Sequence, residues 1–495
     1  MYLLGIDLGT SSIKVSIVDS LTQKCVASSQ YPEKEADIKS LKGGWAEQNP
    51  EDWWQHTQQA ILKLRDLSNV DLSAIKAIGI AYQMHGLVVV DKNQNVLRDS
   101  IIWCDSRSVE IGDKAFEEIG NEKSLRSLLN SPGNFTASKL AWVKLNEPEI
   151  YHLIDKIMLP GDFLAMMLTG NISTSIPALS EGIFWDFAKN EISEDVMNYY
   201  QIDKKLIPEI HPLFSVHGNL KDDIALLLGL SAGIPVSYKS GDQPNNALSL
   251  NVLKPGEVAA TAGTSGVIYG ISDALTYDDK SRINTFAHVT YTKENPHTGV
   301  LLCINGTGSM YRWAKNNFAP NLSYHELNKL AETAAIGSNG LRVLPFGNGA
   351  ERMLGNKYTG AQIVGIDLNK HTQADIFRAV QEGIAFSFRY GLDIMRENGM
   401  QPNVIRAGKA NLFLSNVFAQ TFVDVTGVRL ELYENDGSVG AAIGAGIGAG
   451  IFKTVEEAFS KHTVLSQIEP ENVLDYEKIY QDWKKLLIRE LNNQK

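Results

Sequence analysis

The chain has 495 residues, of which 44% are hydrophobic and 21% are charged, and its formal net charge is -11. A single hydrophobic core stops growing at about 250 to 300 residues, so this length predicts two domains. The acidic balance disfavours a nucleic-acid-binding surface, and the sequence contains no apolar run long enough to predict a membrane span. The three cysteines lack CxxC spacing, which disfavours a disulfide framework or a zinc site, and we expect a soluble, cytoplasmic protein.

Strand and helix patterns alternate through the first ninety residues. The segments "LLGIDLG" and "IKVSIVDS" predict two strands paired around a Gly-Thr-Ser turn, and "CVASSQYP" predicts a third strand. The segment "NPEDWWQHTQQAILKLRDL" predicts a helix with Asn49 as its N-cap and Pro50 in its first turn. A further strand is predicted at "IKAIGIAYQ" and a hairpin at "LVVVDKNQNVL". This region is therefore typical of an α/β domain.

The same order of elements returns from about Val236. "GEVAATAGTSGVIYGI" predicts two strands around a second Gly-Thr-Ser turn, "GVLLCING" another strand, and "ADIFRAVQEGIAFSFRYGLDIMREN" a long amphipathic helix. Small residues fill "DGSVGAAIGAGIGAGIF", which predicts a buried helix packed closely on a sheet in preference to a flexible linker. We therefore predict two related α/β domains, 1–245 and 246–495, with a cleft between them that both turns face.

The first Gly-Thr-Ser turn, at 9–11, is a candidate phosphate site. Its backbone N–H groups and the hydroxyls of Thr10 and Ser11 can converge on an anion. Asp7 lies beside them, and a carboxylate next to a phosphate requires a cation between the two, which predicts Mg²⁺ associated with Asp7. The alternative is an ordinary Asx-type hairpin turn. The second turn at 263–265 favours phosphate binding, because two such turns suit a clamp around a triphosphate.

Asp242 is the candidate catalytic base. In "SYKSGDQPNNALS" it follows the end of a predicted strand, a position that suits a catalytic carboxylate at the rim of a cleft. Transfer of a phosphoryl group to a sugar hydroxyl needs a base that accepts the hydroxyl proton. The alternative is that Asp242 caps a helix beginning near Pro244, and both roles are compatible.

Polar and aromatic residues in "AYQMHGLVVVD" and "IIWCDSRS" form a candidate sugar site. A small sugar is bound by a few polar groups together with an apolar face on which it can stack. A histidine or a tryptophan taken alone is more often structural. The closeness of Met84, His85 and Trp103 to predicted strand ends nevertheless favours a sugar site that includes all three.

These segments together resemble the FGGY carbohydrate kinases over nearly the whole chain. The resemblance is carried by "GIDLGTSSIKVSIVD", "GWAEQNPEDWW", "SGDQPNNA", "TAGTSG" and "DGSVGAAIGAG", while "QMHG" and "NFTASKLAWV" point to the D-xylulose branch. The resemblance implies an α/β fold of two actin-like ATPase domains, each ribonuclease H-like, flanking a central cleft. It also implies that the two Gly-Thr-Ser turns are the phosphate loops.

Site residues follow from the resemblance by position. Asp7 corresponds to the metal-associated acid and Asp242 to the catalytic base. Met84, His85 and Gln243 correspond to substrate-binding residues, and Trp103 is expected to join them because of its place in the candidate sugar site described above. The expected ATP-binding residues are Thr10, Ser11, Ser12, Lys14, Thr264, Gly308 and Gly408.

The resemblance implies an ATP- and Mg²⁺-dependent kinase that makes D-xylulose 5-phosphate by in-line phosphoryl transfer. Gln243 stands where xylulose kinases usually have Asn, so L-ribulose, L-fuculose and glycerol are alternative substrates. A further alternative is a non-enzymatic actin-like protein in which the bound nucleotide gates partner binding, and the presence of Asp242 disfavours it. Similar enzymes are commonly homodimers, and a homodimer is expected here although no interface is evident in the sequence.

Overall fold

The computed structural model describes residues 1–67 and 69–493, which form two compact units. The first unit combines Met1–Asn251, Phe286–Thr298 and Asn435–His462. The second combines Val252–Thr285 and Gly299–Glu434 with the chain from Thr463 onward. Each unit therefore collects segments that are distant in sequence, whereas the predicted domains 1–245 and 246–495 are continuous, and that division stays a prediction.

The first unit is built on a six-stranded sheet. Its first two strands form an antiparallel hairpin around the turn at 9–11, and the first strand also pairs in parallel with Ile75–Tyr82. The third predicted strand is confirmed at Cys25–Tyr31. The strands, in their order across the sheet, are Gly218–Asn219, Pro235–Gly241, Ile75–Tyr82, Tyr2–Leu8, Ile13–Asp19 and Cys25–Tyr31.

The second unit repeats this arrangement in a seven-stranded sheet. Again a hairpin closes around a Gly-Thr-Ser turn, and its first strand pairs in parallel with a later strand that has a parallel neighbour of its own. The order is Asn284–Ala287, Thr298–Ile304, Gly266–Ser272, Glu257–Ala262, Val404–Gly408, Leu430–Tyr433 and Ser466–Ile468. The shared order confirms the predicted fold class, an α/β fold with two related halves.

Helices and short strand pairs complete the two units. The α-helices of the first unit are Pro50–Leu67, Val109–Ile119, Asn121–Leu128, Thr136–Asn146, Pro148–Tyr151, Pro160–Thr169, Ile176–Glu181, Glu194–Tyr200, Asp222–Leu228, Asp242–Ser249, Gly437–Gly448 and Val455–Ala458. Those of the second unit are Gly308–Phe318, Tyr324–Glu332, Gln373–Glu397, Asn416–Thr426 and Val473–Asn493. Short strands pair as Glu47–Gln48 with Ser100–Ile101, Val88–Val90 with Lys156–Met158, Ser173–Thr174 with Glu209–Ile210, Trp185–Asp186 with Glu191–Ile192, and Arg342–Leu344 with Gln362–Val364.

Two helices predicted from the sequence are confirmed, the first together with its predicted N-cap. The helix Pro50–Leu67 begins where Asn49 caps it, because the Asn49 side-chain oxygen accepts a hydrogen bond of 3.1 Å from the Glu51 N–H. The long amphipathic helix spans Gln373–Glu397 and is buried along most of its length. Among the helices that the structure describes, none is long and apolar enough to cross a membrane.

The helix Gly437–Gly448, called here the small-residue helix, packs directly on the first sheet. A Cβ atom built on Gly5 would overlap the carbonyl oxygen of Ser438, and one on Gly79 would overlap that of Ala441. The helix and the strands therefore approach backbone to backbone, which only residues without side chains permit. This confirms the predicted burial and brings the start of the helix to Asp7, since a Cβ on Gly437 would overlap the Asp7 carboxylate.

Candidate active site

The two candidate acids lie at the same edge of the first sheet. Asp7 is near the end of strand Tyr2–Leu8, and Asp242 directly follows strand Pro235–Gly241. Both strands run parallel to Ile75–Tyr82, which lies between them, so their carboxyl ends meet at one edge about 10 Å apart. Asp242 is the first residue of helix Asp242–Ser249, and the cap position belongs to Gly241. The sequence prediction that a strand leads directly into Asp242 is confirmed.

The two acids also share one electrostatic environment. Burial raises the pKa of Asp242 to about 7, the negative charge of Asp7 adds to the rise, and hydrogen bonds from Gln243 oppose it. Burial likewise raises the pKa of Asp7 to about 6, with Asp436 adding to the rise and Lys14 opposing it. A carboxylate with a pKa close to neutrality is suited to accept a proton from a hydroxyl.

Lys14 is held by the capping residue of the small-residue helix. Its ammonium group pairs with one carboxylate oxygen of Asp436. The other Asp436 oxygen accepts hydrogen bonds from the backbone N–H of Ser438 at 2.9 Å and from the Ser438 hydroxyl at 2.7 Å. The Lys14 charge is thus fixed beside Asp7. Contact between Lys14 and ATP stays a prediction.

The first Gly-Thr-Ser turn is braced by side chains. The Thr10 hydroxyl donates to the Gln83 side-chain oxygen at 3.2 Å and accepts from the Trp103 indole N–H at 2.9 Å. The Gln48 amide donates to the Thr10 carbonyl at 2.8 Å. Ser11 is exposed at the tip of the turn, next to the half-buried Ser12. Trp103, predicted to bind substrate, contacts this turn, and 52% of its surface is exposed.

His85 is held in an uncommon backbone conformation. Its φ angle is 63°, which lies in the left-handed region. Its N–H donates to the Glu181 carboxylate at 2.7 Å, and the Lys139 ammonium donates to its carbonyl at 2.7 Å. Its ring lies 4.8 Å from the Phe135 ring and 5.4 Å from the Phe286 ring, measured between centroids. The left-handed conformation of His85 is therefore held by hydrogen bonds with two buried ionisable side chains and by aromatic packing.

Glu181 is the residue that the sequence analysis missed in this cluster. It is 2% exposed, and its second carboxylate oxygen accepts from the Tyr82 hydroxyl at 3.3 Å. A Cβ on Gly241 would lie 2.7 Å from Met84 Cγ and 2.8 Å from a Glu181 oxygen, so these groups touch the residue that precedes Asp242. Burial raises the pKa of Glu181 well above its usual range. Its sequence context, "ALSEGIFW", contains no motif that could have revealed this contact.

Gln243 presents an unused acceptor beside Asp242. Within the part of the chain that the structure describes, its buried side-chain oxygen has no hydrogen-bond partner, although hydrogen bonds from Gln243 reach Asp242. A buried acceptor without a donor is costly, and a ligand hydroxyl would satisfy it. The first unit thus gathers Met84, His85, Gln243 and the two acids at one sheet edge.

The second unit contains a cavity of about 450 Å³ at its own Gly-Thr-Ser turn. Its volume falls in the usual range of small-molecule sites. Thr264 and Gly308, both predicted to bind ATP, line it, whereas the predicted Gly408 is not among the lining residues. The lining residues are Ala262, Gly263, Thr264, Gly308, Tyr311, Arg312, Tyr324, His325, Asn328, Asn411, Leu412 and Leu414.

Aromatic and cationic side chains of this cavity escaped the sequence analysis. The rings of Tyr311 and Tyr324 lie 5.6 Å apart, and Arg312 adds a positive charge. They occur on two successive helices, where their spacing is that of ordinary amphipathic segments. An aromatic face combined with a guanidinium is chemically suited to a nucleotide.

Comparison with known proteins identifies the class. The model of the FGGY family of carbohydrate kinases matches through its N-terminal domain at residues 2–249 and through its C-terminal domain at residues 258–449. The chain belongs to this family and is a carbohydrate kinase, which acts on a sugar and uses ATP. Family membership thus favours an enzyme over the non-enzymatic alternative.

Individual relatives refine this comparison. The chain is 30% identical over 500 residues to the xylulose kinase of Bacillus subtilis, with 98% of this chain and 96% of the relative covered. It is 33% identical to that of Haemophilus influenzae, with 82% of each covered. The crystal structure of xylulose kinase from Rhodospirillum rubrum matches with a TM-score of 0.88 at 25% identity over 99% of both chains. The glycerol kinase of Plasmodium falciparum with ADP, at 22% identity, a TM-score of 0.88 and 99% and 98% coverage, shares the fold.

Proposed function

We propose that this carbohydrate kinase phosphorylates D-xylulose to D-xylulose 5-phosphate. The observation that carries the proposal is the position of Asp242, a carboxylate with a pKa raised to about 7, next to the segment that holds Met84 and His85. The relatives named xylulose kinase support the choice of sugar. L-Ribulose, L-fuculose and glycerol stay the alternatives, because Gln243 departs from the usual Asn.

Asp242 is the proposed general base. The oxygen of the terminal sugar hydroxyl attacks the γ-phosphorus of ATP, and the bond between that phosphorus and the bridging oxygen breaks, so that ADP leaves. Asp242 accepts the hydroxyl proton as the new O–P bond forms. Hydrogen bonds from Gln243 favour the ionised form of Asp242, which keeps it able to accept the proton near neutral pH.

Sugar orientation is assigned to the groups around Glu181. The unpartnered oxygen of Gln243 would accept a hydrogen bond from a sugar hydroxyl. His85 would present its ring from a backbone fixed by Glu181 and Lys139. Because these groups are already held before the sugar binds, little ordering cost remains to be met on binding.

Nucleotide binding is assigned to the cavity at Thr264 and Gly308 in the second unit. Tyr311 and Tyr324 would contact the base, and Arg312 would carry a charge complementary to the phosphates. Thr10, Ser11, Ser12 and Lys14 of the first unit stay predicted phosphate contacts. Gly408 stays a predicted contact as well, since its strand leads into Asn411, which lines the cavity.

Mg²⁺ is the proposed metal, associated with Asp7. Among the residues that the structure describes, no group of three or more His, Cys, Asp or Glu side chains could hold a metal alone. Mg²⁺ typically takes one or two carboxylates and completes its shell with water and substrate phosphates, so the single carboxylate of Asp7 fits this ion. When bound, Mg²⁺ would neutralise phosphate charge. Absent any cation, the negative charge of Asp7 raises the cost of ionising Asp242.

A sugar panel tests the proposal. ADP formation is measured at saturating ATP and Mg²⁺ with D-xylulose, L-ribulose, L-fuculose and glycerol. We expect the highest kcat/KM with D-xylulose, and phosphorus NMR of the product should show a 5-phosphate ester. A higher kcat/KM with one of the other three sugars would replace D-xylulose as the proposed substrate. The assignment of Asp242 has its own test.

A homodimer and a cytoplasmic location stay predictions.

A further inference from the structure

Glu351 of the second unit is a buried acid with backbone partners. It is 0% exposed. The N–H of Asn305 donates to both of its carboxylate oxygens at 3.0 Å, and the N–H of Gly306 donates to one of them at 3.2 Å. Among the residues that the structure describes, no lysine, arginine or histidine forms an ion pair with Glu351. Burial raises the pKa of Glu351 to about 7, and these N–H donors oppose the rise.

The segment that Glu351 holds, 305–308, in turn supports the second Gly-Thr-Ser turn. The Gly308 N–H donates to the Gly263 carbonyl at 3.0 Å, and the Ser309 N–H donates to the Thr264 carbonyl at 3.0 Å. The Thr307 hydroxyl lies 3.3 Å from the same Gly263 carbonyl. A Cβ on Gly308 would overlap that carbonyl, so the two segments are in direct backbone contact. A displacement of 305–308 must therefore move the turn.

Further hydrogen bonds tie the two loops together. The Asn305 side chain donates to the Ala350 carbonyl at 2.8 Å, and the Asn348 side chain donates to the Asn305 carbonyl at 3.1 Å. All of these bonds converge on Asn305, immediately before the segment that contains cavity-lining Gly308. A buried carboxylate without a cationic partner is costly for stability, and here the backbone N–H groups of Asn305 and Gly306 offset that cost while the carboxylate holds them in place.

We propose that Glu351 is a positioning residue for the nucleotide: its carboxylate fixes 305–308 and thereby sets the geometry of the Gly263–Thr264 carbonyls and of the cavity beside them. Glu351 is not itself among the residues that line the cavity. The inference rests on the proposed function, because it requires that this cavity binds the nucleotide.

Glu351→Gln tests the inference, because the glutamine side chain has nearly the same size as the glutamate side chain. One acceptor oxygen becomes an NH₂ group, which cannot accept a backbone N–H and faces donors instead. We expect ADP to bind about tenfold more weakly, which corresponds to about 1.4 kcal/mol, as measured by calorimetry at pH 8. D-Xylulose binding, measured by the same method, should be unchanged, and so should its KM.

Glu382→Gln is the matched control. Glu382 is also a buried glutamate of the second unit, where its carboxylate accepts from the Gly337 N–H at 2.9 Å and the Arg378 guanidinium at 2.9 Å. Its replacement should lower Tm without weakening ADP binding. Asn348→Ala, at an exposed position, removes a single bond to Asn305 and should weaken ADP binding by a smaller factor even if Glu351→Gln fails to fold.

The outcomes separate the two proposals. If Arg312→Ala binds ADP as tightly as the wild-type protein does, the assignment of the nucleotide to this cavity is overturned. If Arg312→Ala weakens ADP binding, whereas Glu351→Gln and Asn348→Ala bind ADP with wild-type affinity, only the role of Glu351 is overturned. Equal losses in Glu351→Gln and Glu382→Gln would show a general loss of stability, which also contradicts positioning.

Discussion

The two Gly-Thr-Ser turns have the same sequence and the same place in their sheets, yet they are held by different means. In the first unit, side chains from other elements hold Thr10, namely Gln83, Trp103 and Gln48. In the second unit, backbone N–H groups of the segment at 308–309 hold the carbonyls of the turn. Equal strand order therefore fixes where a turn lies, while the neighbouring segments decide how it is supported.

The two regions also differ in charge. Asp7, Asp242 and Asp436 interact electrostatically in the first unit. The turn of the second unit has aromatic rings and Arg312 around it. Glu351, which accepts hydrogen bonds from the segment that supports this turn, lies outside the cavity lining. We infer that the acids of the first unit contribute proton transfer and that the cavity of the second unit contributes nucleotide affinity. Substitutions in each should then change different kinetic constants.

Asp242→Asn should have the largest effect. The amide cannot accept the hydroxyl proton, and loss of a general base lowers kcat by about a thousandfold. ADP binding measured by calorimetry should stay at the wild-type value, because the cavity belongs to the other unit. Asp223→Asn, at an exposed position of the first unit, is the control with unchanged kcat. A kcat for Asp242→Asn within tenfold of wild type would contradict the assignment of the base.

Gly79→Ala should cause the largest loss of stability. The added Cβ would overlap the Ala441 carbonyl and force the small-residue helix away from the first sheet, at a cost of about 3 kcal/mol. Thermal unfolding should show a lower Tm. Because the start of this helix lies against Asp7, kcat should fall as well, whereas ADP binding should be retained. Gly43→Ala, where a Cβ would meet no atom within 4 Å, is the matched control and should leave Tm unchanged.

The pH dependence of kcat/KM should show the electrostatic effect of Asp7 on Asp242. Protonated Asp242 cannot act as a base, so kcat/KM should fall as the pH drops below about 7 and be about tenfold lower one unit further down. Asp7→Asn removes a negative charge that raises the pKa of Asp242, so the midpoint of the remaining activity should move to lower pH. An unchanged midpoint would mean that another group controls the acid limb.

Much of the fold could be predicted because its signals are local. The hairpins around 9–11 and 263–265, the Asn49 cap and the small-residue helix each depend on a few neighbouring residues, and all are found as predicted. The path of the chain is a long-range property. The segment at 435–462 belongs to the first unit, and no local pattern could indicate that.

The site shows the same division between local and distant information. Asp242 follows its strand as expected, whereas Glu181 meets His85 across 96 positions and Glu351 meets Asn305 across 46. Each glutamate is an ordinary polar residue in its own segment. Only the folded chain shows that each carboxylate accepts the backbone N–H of a loop, and it is this distant pairing that the sequence could not reveal.

Trp103→Phe should have the smallest effect on the kinetic constants. It decides whether Trp103 acts on the first Gly-Thr-Ser turn or in the sugar site. Phenylalanine keeps an aromatic ring and removes the indole N–H that donates to Thr10 at 2.9 Å, while the bond from Thr10 to Gln83 can remain. Loss of one neutral hydrogen bond costs about 1 kcal/mol, or about fivefold in affinity. If Trp103 acts through the turn, this loss appears in the KM for ATP and the KM for D-xylulose is unchanged. Trp313→Phe, at a half-exposed tryptophan of the second unit, is the control. A rise confined to the KM for D-xylulose would instead assign Trp103 to the sugar site, as its sequence neighbours predict, and would leave the first turn dependent on Gln83 and Gln48.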